Sequence, residues 1–103
     1  MTITTTVSFR VAQGKNHEAL EYLQGIVRHI KKVSGTDIRI LTQLGGPLGH
    51  YVLVGTYDNL TAWDEARTKF TSDPAFQKLQ VQAGEQGLFI PGSVESALYQ
   101  LVQ

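Results

Sequence analysis

The stretch Tyr51-Val-Leu-Val-Gly-Thr-Tyr57 limits the fold more than any other part of the chain, because its apolar residues stand at successive rather than alternate positions. Rich in aromatic and β-branched residues, it reads as a strand. Side chains along a strand point to opposite faces in turn. Tyr51, Leu53 and Tyr57 therefore occupy one face, and Val52 and Val54 the other. A strand that is apolar on both faces needs a cover on each.

The residues just before this strand, Leu44-Gly-Gly-Pro-Leu-Gly49, invite a phosphate-binding reading. A P-loop needs GxxxxGK[ST] and a dinucleotide fold needs GxGxxG, each opening a helix whose N–H groups face the phosphates. GGPLG fits neither and runs into strand chemistry. Gly46-Pro47-Leu48-Gly49 instead has Pro at the second and Gly at the fourth position of a turn joining two antiparallel strands.

Upstream, Val7, Phe9 and Val11 alternate with polar residues, which predicts strand 1 over about residues 4–12. Asn16 is the candidate N-cap of helix 1, which runs to about Val33 with Glu18 in its first turn and Lys31 and Lys32 in its last. Gly35 supplies a left-handed stop. On a wheel at about 100° per residue, Ala19, Leu20, Tyr22, Leu23, Ile26, Val27, Ile30 and Val33 fall in an arc of roughly 160°. Strand 2, about Asp37 to Leu44, places Ile38, Ile40, Thr42 and Leu44 on one face. After strand 3, Asp58 or Asn59 caps helix 2, whose core face includes Trp63, Ala66 and Phe70. Ser72-Asp73-Pro74 interrupts it and starts a short helix from Pro74 to about Gly84, packing Phe76, Leu79 and Ala83. Phe89 and Ile90 fall in an exposed loop, and strand 4 spans about Ser93 to Val102.

The order β-α-β-β-α-β with right-handed crossovers predicts a four-stranded antiparallel sheet in order 4-1-3-2, with the helices on one face. This is the α+β, ferredoxin-like class. The 103 residues make one domain, 1–103. Helices cover only one side, while Val52, Val54, Leu41, Ala97 and Leu101 offer apolar surface to the other. A second copy of the same sheet is the economical cover, so a homodimer through the sheet face is expected, with Phe89 and Ile90 joining the contact.

Nine basic and nine acidic residues cancel, so a polyanion meets no electrostatic footprint and a nucleic-acid partner is not expected. The chain has no cysteine, which removes disulfides, thiolate nucleophiles and Cys-based zinc sites. No segment approaches the roughly 18–20 apolar residues of a membrane span, and the N-terminus lacks a signal pattern. A soluble, cytoplasmic protein without a membrane partner is the default.

With these elements placed, the string Val54 to Leu79, VGTYDNLTAWDEARTKFTSDPAFQKL, resembles the dimeric α+β barrel superfamily. Its Y-x-[DN]-L-x-x-W/Y start to helix 2 and its S-D-P-x-F-x-x-L kink are most similar to NIPSNAP-like proteins, and next to the antibiotic-biosynthesis monooxygenase branch. The resemblance implies a dimeric α+β barrel with a cleft between helices and sheet, and a range of activities from cofactor-free oxygenation to lactone isomerisation. Many members have no known function. The haem-degrading branch uses a strand 1 Asn and a Trp and His in helix 2; at the matching positions this chain has no Asn and carries Phe70 and Gln80, so haem is not expected.

Three histidines are the side chains that titrate near neutrality. None forms an HxxxH or HExxH pair, so no metal site is expected. His17 lies on the wet side of helix 1 and His50 beside the turn. His29, at the edge of the apolar arc, is the candidate proton acceptor. Tyr22, Tyr51, Tyr57 and Trp63 are the candidate substrate-binding residues, because rings with a few hydroxyls make a usual small-molecule wall. The reading is a pocket for a small apolar or aromatic metabolite, with cofactor-independent monooxygenase chemistry at His29 and no cofactor. The alternative is a non-catalytic small-molecule or protein-interaction module whose cleft is filled by side chains.

Overall fold

The computed structural model describes residues 2–46 and 49–102. The chain runs β1 (Ile3–Arg10), α1 (Asn16–Ser34), β2 (Arg39–Thr42), β3 (His50–Tyr57), α2 (Leu60–Thr71), α3 (Pro74–Gln86) and β4 (Glu95–Gln100). The strands make one four-stranded antiparallel sheet in order β2-β3-β1-β4. That is the 4-1-3-2 order expected of a ferredoxin-like fold. No described helix is long and apolar enough to cross a membrane.

Register decides which residues meet the helices. Ile3 pairs with Tyr57, Thr5 with Gly55, Val7 with Leu53 and Phe9 with Tyr51, while Thr5 and Val7 face Leu98 and Ser96 of β4 on the other side. Cross-strand partners share a face, and this one packs against α1 and α3: Leu23, Ile26, Ile30, Tyr51, Leu53 and Phe76 form the main buried cluster. A second cluster joins Ile3 and Tyr57 to Ala66 of α2. A third, Ala19, Ala83 and Leu88, closes the other end, where small alanines let α1 and α3 approach. The opposite face carries Val52, Val54, Leu41 and Tyr99. Leu41 and Tyr99 are 51% and 56% exposed, so within one chain this face is not buried as the apolar pattern of strand 3 demands.

Helix ends follow local chemistry with some differences. Gly35 ends α1 in the left-handed conformation at φ 77°, its N–H donating to the Lys31 carbonyl. The cap at the start of α1 is Lys15, not Asn16; Asn16 is drawn away because its Oδ1 accepts a 2.8 Å hydrogen bond from the Tyr51 hydroxyl. Asn59 caps α2 as expected, accepting from the Ala62 amide at 2.8 Å. The helix after Pro74 runs past Gly84 to Gln86 before Gly87 stops it. Strand β2 is shorter than its apolar pattern at both ends: it begins at Arg39, and although the Gln43 amide still donates to the His50 carbonyl, the chain bends from Leu44 to Gly46. Gly46 and Gly49 have φ of 90° and 73°. Pro47 and Leu48, assigned to the centre of that turn, lie outside the described residues.

The segment after α3 is also more buried than its loop composition suggests. Leu88 is 1% exposed, and the Phe89 ring centroid lies 4.8 Å from that of Phe9, the rings tilted, and 5.7 Å from that of Tyr22, edge to face. Phe89 thus packs on the helix side of the sheet and is not available to the helix-free face. A bridge between Val11 and Phe89 holds it there.

Candidate functional site

Between the sheet and the helices lies a cavity of about 580 Å³. Its floor is the row Leu98, Thr5 and Gly55, flanked by Ser96, Val7 and Leu53. Position 55 has no room for a side chain: a Cβ there would stand 2.8 Å from Ile38 Cδ1 and 3.3 Å from both Thr5 Oγ1 and Tyr57 Cε2. Glycine inside a strand weakens it and marks a place where something approaches the backbone closely. Helix α1 contributes Tyr22, Leu23, Ile26 and Ile30 to the wall, α2 contributes Trp63, Arg67 and Phe70, and α3 contributes Phe76 and Gln80. Val94 and Leu98, both exposed, border it at β4.

The structure brings Tyr22, Tyr57 and Trp63 to this wall. Burial raises the Tyr22 phenol above its ordinary pKa. Burial raises Tyr57 as well, partly offset by a hydrogen bond with Thr36. Both phenols therefore keep their protons at neutral pH and act as hydrogen-bond donors rather than bases. Tyr51 faces the same side of the sheet but is buried in the core with its hydroxyl on Asn16, and is not among the lining residues.

His29 is also absent from the lining. Its Nε2 hydrogen-bonds Asp73 Oδ2, tying α1 to the start of α3. The two side chains are 19% and 24% exposed. The hydrogen bond from His29 holds the Asp73 carboxyl below its usual value; lost hydration opposes this, while the charge of His29 and the Ala75 and Phe76 amides reinforce it. His17 is solvent-exposed, 3.8 Å from Glu21, and His50 bonds Gln43 beside the turn. Among the described residues no group of three or more His, Asp or Glu forms a metal-sized cluster.

Two lining residues that sequence reasoning passed over matter here. For Gly55 the available signal is a lone glycine inside an otherwise apolar strand. Arg67 lies one turn after Trp63, a spacing that places both on one helix face; its Cζ is 5.1 Å from the Trp63 ring centroid. A second depression of about 680 Å³ opens on the β2 side, lined by Asp37, Asp58, Glu65, Arg39 and Lys69 among others. Its mixed charges face solvent, and Tyr57 stands between the two spaces.

No protein-family profile and no curated protein matches the chain. Solved structures do. A NIPSNAP family protein from Agrobacterium tumefaciens superposes with a TM-score of 0.78 at 22% identity, over 97% of this chain and 92% of that one. A NIPSNAP-like domain protein from Burkholderia xenovorans gives 0.76 at 15% identity, over 98% and 85%. The chain has a NIPSNAP-like fold. A candidate antibiotic biosynthesis monooxygenase from Nitrosomonas europaea shares it, with a TM-score of 0.72 at 13% identity over 98% and 90%. Among NIPSNAP-like folds, then, this chain is one whose helix-to-sheet space is floored by Gly55 and walled by Trp63 and Arg67.

Proposed function

We propose that the protein is a homodimer, paired through the helix-free sheet face, in which each subunit binds a small apolar or aromatic metabolite between its helices and its sheet. The cavity carries this reading. Close-packed interiors leave few voids larger than a water molecule, whereas about 580 Å³ falls within the range of roughly 300–1,000 Å³ typical of small-molecule sites. Its wall supplies rings from Trp63, Tyr22, Tyr57 and Phe70 with few polar groups. Pairing is supported by the exposed side chains of Leu41 and Tyr99 and the half-buried ones of Val52 and Val54, each of which gains from leaving water.

Catalysis is the second reading. The fold shared with the Nitrosomonas europaea candidate monooxygenase favours it. Against it stands the wall itself, which among the described residues contains no His, Asp, Glu or Lys to accept a proton. His29, committed to Asp73, enters the proposal as a brace between α1 and α3 and not as a base. Tyr51 likewise supports the wall from the core.

Trp63 is the sole tryptophan and lines the cavity, so its fluorescence reports occupancy directly. Titration with neutral bicyclic aromatics is expected to quench it saturably, and Gly55→Leu, which raises the floor, is expected to abolish that quenching. An unresponsive Trp63 across the panel sinks the binding reading and favours an interaction module with a filled cleft. Substrate-dependent oxygen uptake by the same panel decides for the catalytic reading.

A further inference from the structure

Arg67 is the one charged side chain among the described residues that line the cavity. Its guanidinium sits over the Trp63 ring, and its Nη2 donates to Asp64 Oδ1 at 2.6 Å. Asp64 does not line the cavity. Its side chain is 60% exposed and that of Arg67 47%, so the ion pair lies on the solvent side and steadies the guanidinium without placing a carboxylate in the wall. A guanidinium has five N–H donors, and the bond to Asp64 uses one nitrogen, Nη2. Exposed pairs of this kind contribute little to stability, so a second anion displaces or shares Asp64 at small cost.

We infer that the cavity selects an amphipathic monoanion, with a planar apolar body beside Trp63 and one carboxylate- or sulfonate-like head on Arg67. The inference rests on the binding reading proposed above and adds the chemical class. The phenols of Tyr22, half-buried, and Tyr57, buried, keep their protons and so add no negative charge to the wall. A cationic ligand finds no carboxylate in the wall, and a polyphosphate finds a single cation among apolar side chains. An Arg–anion contact is charge-assisted and directional, and at this half-exposed position it is expected to be worth about tenfold in affinity.

The test compares 1-anilinonaphthalene-8-sulfonate with N-phenyl-1-naphthylamine, which share their rings and differ by the sulfonate. Fluorescence titrations of the full chain are run for wild type, Arg67→Gln, Arg67→Lys, Gly55→Ala and Gly55→Leu, with melting curves to show that each variant folds. The sulfonate is expected to bind wild type more tightly than the neutral amine. Arg67→Gln should weaken the sulfonate about tenfold and leave the amine unchanged, Arg67→Lys should fall between because it keeps the charge and loses the fork, and salt should erode the difference. Equal affinities for the two probes, or an Arg67→Gln effect of the same size on both, overturns the assignment of Arg67 while cavity binding stands. If neither probe binds, or if both bind Gly55→Leu as they bind wild type, the cavity reading fails and takes this inference with it.

Discussion

A methyl group added at position 55 would press on the tip of Ile38, which can swing aside, and on Thr5 and the Tyr57 ring, which are held in the sheet. Gly55→Ala is therefore expected to fold and to bind aromatic probes more weakly, and Gly55→Leu to bind none; probe titration beside a melting curve separates the two effects. Elsewhere in the same core, Leu23 is fully buried, and Leu23→Ala should cost about 2–5 kcal/mol in urea unfolding. The His29–Asp73 pair answers to pH. Asp73 stays ionised to lower pH in the folded chain than in the unfolded one, so its contribution is complete above the ordinary carboxylate value and is lost as pH falls through the depressed one. Asp73→Asn should lower the melting temperature at neutral pH, with the gap to wild type closing in strong acid. A gap that stays constant down to about pH 2 would show that the carboxylate's ionisation contributes nothing.

At the level of elements, the caps and breaks were largely visible in the residues themselves. Asn59 and the Asp73-Pro74 step mark helix starts because their chemistry acts over a single turn. Removing the first, by Asn59→Ala, is expected to cost about 1 kcal/mol, read as a shifted urea midpoint with an unchanged slope. Asn16 looked like the same kind of cap, yet its side chain serves Tyr51, which lies far away in sequence. Phe89 looked exposed for a similar reason: nothing local says that Phe9 and Tyr22 will meet it. Local signals fail where a distant partner competes for the same group.

For the whole molecule, the helix-free face is the surface a partner copy would cover, since Leu41 and Tyr99 remain more than half exposed in one chain. A charge placed at the centre of that face by Val54→Arg is expected to turn a sedimenting dimer into a folded monomer at micromolar concentration, because an unpaired charge in an apolar contact is costly. Wild type that sediments as a monomer under the same conditions removes the pairing proposal. Cavity binding is independent of that result, because every wall residue named here comes from one chain.

Alternation, helical period and turn chemistry carried the strand order, the sheet and the helix-bearing face, because each depends on neighbours a few positions apart and on one rule of handedness. The ring residues Tyr22, Tyr57 and Trp63 could be picked out by type and face in the same way. Which of the candidates meet was settled only by packing. Strand register set Thr5 and Gly55 side by side in the cavity floor, while His29 is bonded to Asp73 and lies outside the wall that Arg67 joined. Contacts of that kind join residues dozens of positions apart, and no periodicity along the chain encodes them.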